Sequence, residues 1–217
     1  MKKLALIVAL TSITGLPMLA QAESTFVSPA TSGVGGSTAA ARLDFTIVIP
    51  QVLFLRVGAS SGNTATDPTI SSILFTVPGA NIGNNVPVVG TGGDIGAGAV
   101  TVRVYGNGGN ISLNSAVTGP LTTGVVGETI PWSQIIVTPG ALGATTSGFT
   151  NAAITHPAFN TTNVGTGTAT TLTAAAKVVR VEGSWTYTYQ NAAAVAAGTY
   201  GGTVANNGRV TYTATQL

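Results

Sequence analysis

The 217-residue sequence contains no cysteine. Disulfides, thiolate metal sites, cysteine nucleophiles and a lipidated cysteine are excluded with it. Stability must come from burial, and residues 23–217 are long enough for that, as one large sandwich or two small domains. Charge is equally scarce: 6% of residues are charged, against about a quarter in ordinary globular proteins. Long apolar runs are missing after the first twenty residues, so no later segment is expected to span a bilayer. Histidine occurs once, and the acids are scattered singly, which leaves little for acid–base or metal chemistry.

The first residues read as a targeting signal. A basic head (Met1-Lys2-Lys3) precedes an apolar stretch and the small-x-small site Ala20-Gln21-Ala22, the pattern of a secretory signal peptide cut after Ala22. Without Lys2 and Lys3, six basic residues (Arg42, Arg56, Arg103, Lys177, Arg180, Arg209) meet six acidic ones (Glu23, Asp44, Asp67, Asp94, Glu128, Glu182). The balance is zero, so nucleic-acid binding has no electrostatic support. A neutral surface with few charges opposes self-association weakly, and Thr, Ser, Asn and Gly supply its polarity.

What is present is alternation. After a small-residue, Gly-containing leader (23–41), "RLDFTIVI" places Leu43, Phe45, Ile47 and Ile49 on one face, and Leu53, Leu55 and Val57 continue beyond Pro50. Val100, Val102 and Val104 share a face, as do Val179, Val181, Trp185, Tyr187 and Tyr189, with Arg180, Glu182, Ser184, Thr186 and Thr188 opposite. Val210, Tyr212 and Ala214 alternate with threonines at the end. Such period-two runs predict half-buried strands. Gly- and Asn-rich segments separate them, and Asn207-Gly208 predicts a hairpin between a Thr199–Val204 strand and the last strand. Only Asn191–Gly198 suggests a helix, and it is short. Many short strands punctuated by turns predict an all-β fold, an antiparallel Ig-like, Greek-key β-sandwich with long Gly/Thr-rich loops over residues 42–217. Residues 139–176, rich in Thr, Ala and Gly, read as a surface excursion or as added edge strands.

Candidate chemistry is thin. His156 in "ITHPAF" reads as a solvated loop side chain, and no G-x-S-x-G elbow or phosphate loop with its lysine occurs. Asp67 and Asp94 read as turn formers. The expectation is a non-enzymatic protein without metal or cofactor. Trp132, following Pro131 near a strand start, is the candidate exposed aromatic. A surface-displayed carbohydrate- or adhesin-type binding module built on Trp132 is the alternative function.

The closing "AAGTYGGTVANNGRVTYTATQL", with the signal peptide and the alternating 43–58 stretch, resembles chaperone–usher-type fimbrial subunits and spore-coat-like secreted subunits. The resemblance covers about the last thirty residues and residues 43–58. It departs from the family in having no cysteine and in a leader poor in large alternating residues. It implies an exported structural subunit of a bacterial surface filament or extracellular matrix, at the cell surface, outside the cell or in the periplasm. The implied partners are copies of itself or related subunits and a periplasmic chaperone. It also implies donor-strand complementation, in which a neighbour's strand completes an open groove. Leu43, Phe45, Ile47 and Ile49 would then be the subunit-contact strand, with Pro50 as its boundary. The residue pattern by itself leans the other way, to pairing of this strand inside its own domain.

Overall fold

The computed structural model describes residues 24–28, 38–60 and 66–217. The expected signal peptide and the middle of the leader lie outside the described residues. The chain divides into two units between Ile49 and Pro50, and the strands lie in the second, Pro50–Leu217. Fourteen strands and no α-helix occur among the described residues, as the all-β expectation requires.

Two sheets carry the core. The larger is built on β1 (Leu53–Val57), β5 (Ala99–Gly106) and β13 (Val179–Tyr189), paired in the order β1-β5-β13. β13 also pairs with β3 (Val88–Val89), β9 (Ile135–Gly140) and, in parallel, β10 (Thr150–Asn151). The second sheet centres on β6 (Ile111–Val117), with β14 (Thr211–Gln216) on one side. β11 (Gly165–Thr166) and β12 (Thr170–Leu172) occupy the other. Two short ribbons, β2 (Ile73–Leu74) with β4 (Thr91–Gly92) and β7 (Leu121–Thr122) with β8 (Thr129–Ile130), complete the set.

The alternation explains the core. Val100, Val102 and Val104 of β5 face Ile111, Leu113 and Val117 of β6, and Val179, Trp185, Tyr187 and Tyr189 of β13 extend the same cluster. β5 is buried on both faces because the chain after β9 folds over its outer side. This corrects one expectation. Glu182, on the supposedly solvent-facing row, is 0% exposed. Arg103 donates to it at 2.7 Å, the Thr146 backbone N–H donates to its other oxygen, and Arg103 also donates to Thr146 Oγ1. The Phe149 ring stacks on the guanidinium groups of Arg103 and Arg180, 4.8 Å from each. Burial alone would raise the Glu182 carboxyl, but the Thr146 bonds and the Arg103 charge hold it below the usual carboxylate range.

Two local expectations fail for tertiary reasons. Asn191–Gly198 is not helical: Asn191 is buried in a left-handed conformation, and its side chain bonds Gly83 N–H and the Asn81 carbonyl. Asn207-Gly208 does turn the chain, with Asn207 at φ +57°. The hairpin is absent, however. Thr122 N–H bonds the Asn206 carbonyl and Gly201 N–H bonds the Thr122 carbonyl, so the segment before the turn belongs to β7. β14 pairs with β6 instead.

Candidate assembly surface

Residues Arg42–Ile49, hereafter the arm, form no strand. Leu43, Phe45, Ile47 and Ile49 are 72%, 84%, 84% and 76% exposed. The leaning toward pairing within their own domain is therefore not realised. Four large apolar side chains in strand parity without cover are unusual, since single exposed apolar residues are common but contiguous runs are not.

The arm leaves from a fixed root. Asn107 accepts a bond from Val52 N–H and donates one to the Pro50 carbonyl, each 2.8 Å. Gln51 Nε2 donates to Gln216 Oε1 at 2.7 Å, tying the start of β1 to the end of β14. From this closed end the two strands run antiparallel toward a groove of about 560 Å³. Leu55 and Val57 form one bank and Val210–Tyr212 the other, with Trp132, Ile135 and Tyr187 beneath.

Both banks are open ladders. In an antiparallel pair every second residue turns its N–H and C=O away from its partner. In β1 the bonds from Gly58 N to Thr101 O and from Asn107 N to Val52 O set the phase, leaving Leu53, Leu55 and Val57 directed away from β5. In β14 the bond from Leu217 N to Asn110 O sets it, leaving Tyr212, Ala214 and Gln216 directed away from β6. Among the described residues no backbone partner meets these six. β14, "TYTATQ", carries neither proline nor charge, the usual means of blunting an edge.

The rest of the chemistry is interior. His156 is not solvated: its ring lies 4.6 Å from Trp185, 4.9 Å from Phe159 and 5.4 Å from Tyr212. Its Nε2 is 2.7 Å from Tyr212 Oη, which is 2.9 Å from Tyr187 Oη. Burial lowers the imidazole to about 4 and pushes Tyr187 up to about 12 and Tyr212 well above its ordinary value. Among the described residues, this imidazole meets only phenols and aromatic rings, with neither a carboxylate to orient it nor a nucleophile to serve. No group of three metal-ligating side chains occurs among the described residues.

Trp132 must also be corrected. It is 6% exposed, its Nε1 donates to the Gly119 carbonyl at 2.8 Å, and its ring packs on Phe159 at 5.1 Å. Pro131 opens a short 3₁₀ turn, Trp132–Gln134, that swings the indole inward rather than to solvent. Three relevant residues were missed in the sequence: Asn107 as clasp of the root, Gln216 as its lock, and Arg209 beside the groove. Asn107-Gly108 signals a turn in sequence, but nothing local tells which backbone its side chain will hold.

Comparison of the chain with protein-family models, with curated proteins and with solved structures finds no match.

Proposed function

We propose that this protein is an exported structural subunit of a bacterial surface filament or extracellular matrix, non-enzymatic, which self-associates by strand addition. The immunoglobulin-like, Greek-key reading of the fold belongs to the same proposal. The observation that carries it is the arm: Leu43, Phe45, Ile47 and Ile49 stand exposed in strand parity. The unprotected edge of β14 and the apolar groove beside it support it as an acceptor for an added strand. The carbohydrate-binding alternative has lost its aromatic, since Trp132 is interior.

Sedimentation of residues 23–217 over a range of concentrations tests the proposal. The wild type should associate as concentration rises. Phe45→Asp with Ile47→Asp removes two apolar anchors, each contributing about 1.5–3 kcal/mol when buried. It should weaken association by at least about a hundredfold. Because both side chains are exposed, the melting temperature of the dilute protein should not move. A wild type that stays monomeric at high concentration overturns the reading.

A further inference from the structure

Strand parity alone does not define how an arm would sit. A one-residue slip turns the apolar face outward, but a two-residue slip preserves it, so the registers two apart are degenerate in burial. Charge can break that degeneracy. Asp44 lies on the arm's polar row with Arg42 and Thr46, and Arg209 lies beside the groove just before β14, on the outward row with Thr211 and Thr213. Both are exposed, and neither takes part in an ion pair among the described residues.

Resting on the self-association reading above, we propose that the arm of a second copy lies along the free edge of β14, parallel to it, with its Asp44 beside Arg209. The direction follows from where the two charges stand. Asp44 is near the beginning of the arm and Arg209 immediately precedes β14, so only a parallel alignment lets the charges meet while the remaining arm overlies the strand. The antiparallel alignment with the same pair would carry Thr46–Ile49 back past Gly208 and off the edge. In the parallel register Phe45 falls beside Val210, just before β14, and Ile47 and Ile49 beside Tyr212 and Ala214, on its half-buried row. Thr46 and Val48 fall beside the exposed Thr211 and Thr213. Tyr212 and Ala214 offer the vacant N–H and C=O groups that the arm reaches. A single residue offset satisfies the side-chain rows, the open ladder and the charge pair together.

Two single variants of residues 23–217, Asp44→Lys and Arg209→Glu, test it. Each alone opposes like charges at the contact and should associate about three- to tenfold more weakly than wild type, the deficit shrinking at high salt. Mixed in equal amounts they should recover wild-type association. The introduced lysine of the first variant then meets the introduced glutamate of the second, and the unaltered Asp44 of the second meets the unaltered Arg209 of the first. Recovery on mixing requires contact between copies, because an arm folded into its own groove gains nothing from a second variant. If wild type associates but the single variants match it, or the mixture recovers nothing, the Asp44–Arg209 register is wrong while the self-association reading survives. If wild type itself stays monomeric, both fall. Unchanged thermal melting of each variant, measured dilute, separates these outcomes from misfolding.

Discussion

The two margins of the paired sheets solve the same problem in opposite ways. On the side of β9, residues 152–161 run into the gap and fasten to the core, leaving a smaller pocket of about 450 Å³ against β9. The Ile154 carbonyl accepts Trp185 Nε1–H at 2.6 Å, Ser115 Oγ–H bonds the Ala158 carbonyl at 2.9 Å, and Ile154 and Pro157 are buried. Gly167 presses so closely on the Ala158 carbonyl that no side chain would fit there. The edge itself is guarded. Gln190 N–H to the Gln134 carbonyl sets the ladder phase, which turns Pro139, without an N–H, outward. On the side of β1 and β14 residues 69–73 and Phe75 line the apolar groove without closing it, and the edge of β14 carries neither proline nor charge. The chain can anchor its own loop along a margin, as the β9 side demonstrates. Leaving the other margin open while holding an apolar arm exposed is the difference that the proposed function explains.

The largest test breaks the fastened margin. Trp185 is 1% exposed, contacts His156 and Tyr212, and holds Ile154 through its indole. Trp185→Ala should cost about 3–5 kcal/mol in urea denaturation. Trp185→Phe keeps much of the packing and loses the bond, for about 1–2 kcal/mol. A cost below about 1 kcal/mol for the alanine variant would mean that residues 152–161 are not fastened to the core.

A second test reaches the same margin through pH. The His156 imidazole falls from 6.5 to about 4 in the folded chain because burial disfavours its charged form. The groups facing it are Tyr187 of β13, Tyr212 of β14, and the uncharged Trp185 and Phe159 rings. Between pH 6.5 and about 4 the unfolded chain therefore binds a proton that the folded chain refuses. Stability is complete above that window and declines as pH falls through it, by about 3 kcal/mol in total. Carboxylates add their own slope at the acid end, so the comparison is with His156→Phe, which should lack the histidine contribution. Parallel stability curves for the two proteins from about pH 7 to about pH 4 would place the imidazole in water instead.

Much of this was legible in the sequence, and the limits are physical. Period-two alternation marks β5, β13 and β14 because a strand with one buried face writes its burial into every second residue. It failed at Glu182, whose face is covered by a loop joined only after the chain has folded. Residues 139–176 carried no period because their job is done by backbone carbonyls, those of Ile154 and Ala158, and by single inserted side chains. Trp132 and His156 looked exposed because proline neighbours suggest loops, and a loop that plugs a core resembles one that does not. The Leu43–Ile49 run was visible as a strand without a place. Its parity told which residues would be buried, but not in whose core.

The smallest expected effect sharpens the contrast at its edge. Pro139→Thr gives the outward row of β9 an N–H where none was. Threonine suits a strand, and residue 139 makes no inward backbone bond to lose, so stability should move by no more than about 0.5 kcal/mol. What should change is association. Placed in the Phe45→Asp, Ile47→Asp background, which disables the arm, Pro139→Thr should restore a weak, concentration-dependent self-association, with Ile136 and its neighbours as the new contact. Unlike the contact through β14, this one should be insensitive to charge reversal at Arg209. Sedimentation of the triple variant decides it. If the protein stays monomeric, the β9 edge is kept quiet by the covering segment Ala158–Thr161 rather than by the missing donor. The two margins would then differ only in what covers them.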